Sequence, residues 1–226
     1  MSDSRVRFVV LLSGGMDSCV AAAMARRKGS IACLHCSYGQ HSAGRERSAF
    51  EAVAKALGAS EQRILDMMHL GSMGGSALTD RTIAVPAADP KRREIPATYV
   101  PFRNAQFLAA AIAWAEVLGA TRVVYGAVEE DSSGYPDCRE SFVRAFNHLI
   151  EVGTRAGAGL QLDAPLLHCS KAEIVRLGVE MGAPFHLTWS CYKGEDVACG
   201  NCDSCALRRK GFREAGVRDP LPYRNS

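Results

Sequence analysis

The chain has 226 residues, 47% hydrophobic, 23% charged and 7% aromatic, enough for one sizeable domain whose core needs no disulfide. A net charge of +3, from 27 Lys+Arg against 24 Asp+Glu, is too balanced to demand nucleic acid as a direct partner. No apolar run exceeds the nine residues Phe107 to Ala115, well short of the roughly 18 that span a bilayer. Met1 to Arg5 lacks the apolar stretch of a secretory signal, so the expectation is a soluble, cytoplasmic protein with no membrane partner.

Taken in order, Arg5 to Leu12 reads as a buried parallel strand, Ser13 to Gly15 as a turn, and Asp17 to Lys28 as a helix stopped by Gly29. Ile31 to Ser37 reads as a second strand, Arg45 to Leu57 as a helix ended by Gly58, and Arg63 to Met67 as a third strand. Between Leu70 and Pro101 the pattern dissolves into Gly, Pro, Asp and Lys/Arg, which predicts a mobile active-site loop or a small insertion over 70–101. Asn104 to Leu118 is a helix closed by Gly119, and Thr121 to Gly126 a fourth strand. Two capping boxes, Asp137 with Glu140 and Ser170 with Glu173, open predicted helices over Cys138 to Ala156 and Lys171 to Met181. From Pro184 onward the helical pattern stops and cysteines take over. Such alternation implies an α/β fold, a Rossmann-like parallel sheet with helices on both faces. The division read from it is an α/β domain over 1–183 and a cysteine-rich C-terminal subdomain over 184–226.

The turn after the first strand, Leu12-Ser13-Gly14-Gly15-Met16-Asp17-Ser18, carries the first chemistry. Two glycines let backbone approach an anion, Ser13 and Ser18 supply hydroxyls, and the helix N-terminus adds unpaired N–H groups. Asp17 either braces the loop or holds a magnesium ion that bridges to phosphates; an ordinary βα turn with Asp17 or Ser18 as cap is the plain alternative. The segment matches neither G-x-x-x-x-G-K-[ST] nor G-x-G-x-x-G. It is similar to the SGGxDS signature of the PP-loop ATP pyrophosphatases (an adenine nucleotide alpha hydrolase-like fold), a resemblance that implies binding of the ATP β,γ-pyrophosphate and cleavage at the α-phosphate.

Of nine cysteines, Cys191, Cys199, Cys202 and Cys205 form C-x7-C-x2-C-x2-C. Four thiolates within fifteen residues suit a closed, structural zinc site, one ion per chain, with an iron–sulfur cluster as the rival. Cys19, Cys33 and Cys36 sit on apolar stretches as core residues, and Cys169 precedes a helix cap. Cys138 falls in the first turn of a predicted helix, where a thiol pKa drops, and is a candidate nucleophile. His35, His69, His148, His168 and His186 are isolated, and no chemistry is assigned to them.

Three further segments narrow the resemblance: Tyr99 to Asn104 (YVPFRN), Ser133 to Arg139 (SGYPDCR), and Thr188 to Tyr192 (TWSCY) leading into the cysteines. With SGGMDS, and in the same order from Val6 to about Gly211, they resemble the 7-cyano-7-deazaguanine synthase family of queuosine-precursor biosynthesis. Many relatives have Gly where this chain has Phe102, and Thr where it has Ser190. The resemblance implies conversion of 7-carboxy-7-deazaguanine, ammonia and ATP to the nitrile through an adenylated acid and an adenylated amide. It also implies a homodimer. Such chemistry depends on positioning and charge neutralisation more than on a protein nucleophile. Ser13, Gly14, Gly15, Asp17 and Ser18 are expected on pyrophosphate and magnesium, and Arg103 and Lys171 on phosphate or the substrate carboxylate. Asp131, Tyr135, Asp137 and Arg139 are expected at the guanine-like ring. Two other readings compete. A tRNA-modifying sulfurtransferase or lysidine-type ligase would need a basic face or extension for which length and charge leave no room. A non-catalytic zinc-knuckle nucleotide module is opposed by the intact SGGMDS.

Overall fold

In the computed structural model, residues 6–89, 92, 94–129, 134–194 and 196–224 are described. Strands β1 (Phe8–Leu11), β2 (Ile31–Ser37), β3 (Glu61–Asp66), β4 (Arg122–Tyr125) and β5 (Gln161–Asp163) form one sheet in the order β3-β2-β1-β4-β5. Every neighbouring pair is parallel, with Phe8 opposite both Ile31 and Arg122. Strand order reverses between β1 and β4, which opens a crevice beyond their carboxyl ends, where doubly wound folds bind ligands.

The period of two along β1 decides the two cores. Val9 and Leu11 meet α4 (Arg103–Leu118) and α5 (Glu140–Gly153) through Leu108, Ala111, Phe146 and Ile150. Phe8, Val10 and Leu12 meet α1 (Met16–Lys28), α2 (Ala43–Ala56) and α6 (Lys171–Met181) through Val20, Phe50 and Ile174. Cys19 and Cys33 are fully buried in that second core and Cys36 lies in the first; burial pushes the three thiols up to about 12.

Three elements go beyond the sequence pattern. A short helix α3 (Met68–Ser72) opens the 70–101 stretch. Within that stretch Leu78 and Val100 are buried against Tyr38 and Leu70, and Ala77 N–H donates to Ala97 O at 2.7 Å. Strand β5 has one fully sheltered residue, Leu162, too little to register as a periodic signal. The tail after Pro184, read as non-helical, contains α7 (Asp203–Ala215), which buries Cys205, Arg208, Gly211 and Phe212 at helical spacing. Its charged and Gly/Cys-rich composition hid that face, because two of the inward positions are Arg and Gly.

The two capping boxes part company. Ser170 and Glu173 form theirs, with each side chain satisfying the other's backbone N–H. Asp137 does not cap α5, whose N-cap is Arg139 with φ −91° and ψ 155° and no side-chain bond. Residues 136–138 instead make a 3-10 turn, and the Asp137 carboxylate accepts the backbone N–H of Asn104 at 3.3 Å, in the first turn of α4. The N-cap of α4 is Phe102, which has no capping side chain and a left-handed φ of 56°, so Asp137 supplies the cap from a distant part of the chain.

Candidate functional site

The loop between β1 and α1 closes on itself. Ser13 N–H donates to Ser18 Oγ at 3.2 Å, Gly15 N–H to Ser13 Oγ at 3.2 Å, and Ser18 Oγ–H to Gly15 O at 3.0 Å. Gly14 carries φ 87°, and a Cβ there would stand 2.8 Å from Glu46 O, so only glycine fits. Gly126 plays the matching part after β4, where a Cβ would lie 2.9 Å from both Ser18 Cα and Ser18 N. The N-terminus of α1 is thereby held against the switch point, with its first-turn N–H groups available to an anion.

Lys171, the first residue of α6, places Nζ 2.9 Å from Asp17 Oδ2. Asp17 Oδ1 is buried without a hydrogen-bond partner among the described residues, an acceptor suited to a cation such as magnesium. Trp189 N–H donates to Gly14 O at 2.8 Å and so fastens the segment before the cysteines under the loop.

The loop faces a cavity of about 280 Å³. Leu12, Ser13, Gly15, Met16, Asp17 and Ser18 line one end of it, together with Lys171; Gly14 stands behind them. Arg103, Tyr135 and Cys138 line the rest with Tyr38, Asn104 and Tyr192. Arg103 Nη1 donates to Tyr38 Oη at 2.8 Å, and its guanidinium lies 5.1 Å from the Tyr38 ring centroid and 5.7 Å from that of Phe107. Tyr135 Oη is 2.8 Å from Thr98 Oγ1.

The other sequence candidates separate. Asp137 is buried behind Asn104, its carboxyl pushed up by burial, and does not line the cavity. Arg139 is exposed outside it, and Asp131 lies outside the described residues. Cys138 corrects the expectation of a lowered thiol pKa: it lies on the 3-10 turn beside Tyr125 Oη at 3.6 Å, and burial pushes it up to about 11. It is a protonated, sheltered thiol rather than an activated nucleophile. His35, given no role from sequence, lies in the cavity wall; its Nδ1–H donates to Leu12 O at 3.2 Å and burial lowers its pKa. Tyr38, Glu46 and Arg208 carry no sequence signal, because each is brought in by a tertiary contact and none stands in a recognisable motif; Asn104, at the end of the YVPFRN segment, lines the cavity as well.

The Cys191, Cys199, Cys202 and Cys205 sulfurs lie within 4.8 Å of one another, with Cys199 and Cys205 3.9 Å apart. Tetrahedral thiolates around an ion at about 2.3 Å would stand about 3.8 Å apart, so the donor set fits a metal. Hydrogen bonds from Cys202 and Cys205, then from the Cys199 and Gly194 amides, hold the Cys191 thiol well below its ordinary pKa. Cys202 is the N-cap of α7, so the cluster anchors that helix. Arg208 on α7 is buried, pairs with Asp219 through Nε at 2.9 Å, and donates to Thr188 Oγ1 at 2.6 Å. The cysteine region is thus tied to the cavity that Arg208 also lines.

Residues 7–216 match the family model described as queuosine biosynthesis protein QueC. The 7-cyano-7-deazaguanine synthase of Acidobacterium capsulatum is 54% identical over 99% of each chain. That of Chlorobaculum tepidum is 52% identical over 96% of each. Among solved structures, an NMN synthetase from Francisella tularensis is similar at a TM-score of 0.48 and 15% identity, covering 95% of this chain and 89% of that one. By the span of the family match and the identity to its relatives, the chain belongs to the family of queuosine biosynthesis protein QueC.

Proposed function

We propose that the protein is an ATP-dependent C–N ligase that converts 7-carboxy-7-deazaguanine and ammonia to 7-cyano-7-deazaguanine, in keeping with the name its relatives carry. The observation that carries this reading is the opening of the Ser13–Ser18 loop, with its Asp17–Lys171 pair, into the same cavity that Arg103 lines. A carboxylate must be activated before ammonia can displace its oxygen, and that needs phosphates and acid in one chamber.

In the first half, a substrate carboxylate oxygen attacks the ATP α-phosphorus and pyrophosphate leaves. Ammonia then adds to the acyl carbon, loses a proton, and AMP departs to give the amide. In the second half, the amide oxygen attacks the α-phosphorus of a second ATP and pyrophosphate leaves; loss of both N–H protons and of AMP then gives the nitrile. The Ser13–Ser18 hydroxyls and amides, the α1 N-terminus and Lys171 hold the departing pyrophosphate, where the developing charge is largest. Arg103 pairs with the substrate carboxylate, and Tyr135 offers its ring to the base. Magnesium, bound through Asp17, would offset phosphate charge at the point of cleavage. Cys138 takes no covalent part.

Zinc is the metal proposed for the four thiolates, as a closed structural ion that orders the tail over 184–226 beside the ATP-binding domain over 1–183. The family resemblance further supports a cytoplasmic homodimer. The test is incubation of metal-loaded protein with 7-carboxy-7-deazaguanine, ammonium, magnesium and ATP, followed by mass spectrometry. Nitrile and AMP are expected; absence of both nitrile and amide would defeat the proposal.

A further inference from the structure

A guanine-type ring presents a ring N–H and an exocyclic amino group side by side, and the complementary partner is a carboxylate that accepts both. Among the described residues, Asp17 and Glu46 are the only carboxylates lining the cavity. Asp17 belongs to the phosphate end, 2.9 Å from Lys171. Asp137 is turned to the Asn104 amide and stands behind the wall.

Resting on the function proposed above, we infer that Glu46 is the specificity residue that reads the N1–H and 2-amino edge of the deazaguanine ring. Glu46 sits in the first turn of α2, where neutral donors fix it: Gln40 Nε2 reaches Oε2 at 2.9 Å and Ser42 Oγ reaches Oε1 at 2.5 Å. Gln40 is itself oriented, because its Oε1 accepts the Tyr38 N–H at 2.9 Å. A carboxylate oxygen has two acceptor directions, so each keeps one for a ligand. Neither side-chain partner is a cation, so the charge remains for the bound molecule. Burial raises the Glu46 pKa while the Ser42 and Gln40 bonds lower it, and two further donors from a ligand would favour the ionised form. Tyr38, Phe107 and Tyr135 supply flat rings to the same cavity. The Arg103 charge acts on Glu46 across it, an anion and a cation suited to a ring with a donor edge on one side and a carboxylate on the other.

The experiment compares 7-carboxy-7-deazaguanine with the same acid lacking the 2-amino group, in wild type and Glu46→Gln. Wild type is expected to favour the amino compound by about 10²-fold or more in kcat/KM, as sites built around a hydrogen-bonding group do. Glu46→Gln is expected to shrink that preference to about threefold by raising KM for the amino compound, with KM for ATP unchanged, since one acceptor becomes a donor. Unchanged preference in Glu46→Gln, or a raised KM for ATP with preference intact (a carboxylate on the ribose diol), would overturn the inference. Should that variant fail to fold, Gln40→Leu releases the carboxylate without altering it, and the same outcomes apply. If wild type converts neither acid, the proposed function itself fails and takes this inference with it.

Discussion

The two ends of the cavity are built by opposite means. At the loop end, the Ser13, Gly15 and Ser18 bonds all fall within six residues, and the helix that follows keeps them in place. At the opposite end, Arg103 meets Tyr38, Asn104 meets Asp137, and Tyr135 meets Thr98, partners at least 33 positions apart. A local loop keeps its shape when chemistry is removed from it. A wall assembled from distant segments depends on the whole fold, and this contrast can be tested from both sides.

The largest effect is expected from Asp17→Ala, which should lower kcat by about 10³-fold or more through lost charge stabilisation. Metal content should stay at the wild-type value, while melting temperature falls modestly because buried Lys171 loses its Asp17 partner; loss of bound metal would show that the loop and the cysteine region are not separable. Arg208→Ala should instead act on the fold. It leaves Asp219 buried without its guanidinium, and about 3–5 kcal/mol should vanish from denaturant unfolding. A change below about 1 kcal/mol would show that the tail does not depend on the pair. Ser170→Ala removes a local cap and should cost about 1 kcal/mol. Phe102→Gly should gain about 1 kcal/mol, since a left-handed φ of 56° penalises any side chain.

The smallest effect concerns pH. His35 is buried and its pKa is lowered from 6.5, with burial the main cause. The unfolded chain therefore binds a proton that the folded chain refuses. Its contribution is complete above pH 6.5 and is lost as pH falls toward the lowered folded value. Comparing melting temperatures of wild type and His35→Gln from pH 7.5 to 5 should give curves that converge on acidification, because only wild type carries this loss. Parallel curves would mean that His35 takes up its proton equally in the folded and unfolded chain.

The conformation of the Ser13–Ser18 loop was legible in sequence for a physical reason. Ser13, Gly14, Gly15 and Ser18 act through backbone conformation and neighbour contacts, which short spacing encodes. The cysteines were legible likewise, since four ligands to one ion must converge whatever surrounds them. Asp137 shows the limit. Its box with Glu140 is as good a pattern as Ser170 with Glu173, yet the Asn104 amide, from a helix that begins on an uncapped Phe102, took the carboxylate instead. Cys138 followed Asp137 out of the helix and into a buried site, which reversed the expected direction of its pKa.

By itself, then, the sequence determined the alternation of strands and helices, the glycine-rich loop after the first strand, the thiolate cluster and the family. These rest on periodicity, on glycine's conformational range and on fixed ligand spacing, all properties of neighbours in the chain. Only the tertiary structure decided that Lys171 reaches Asp17 rather than solvent, that α7 ties the cysteines to the cavity, and that Glu46 rather than Asp137 stands in its wall. Those choices depend on which buried donor finds which acceptor once the sheet has closed, and separation along the chain carries no record of it.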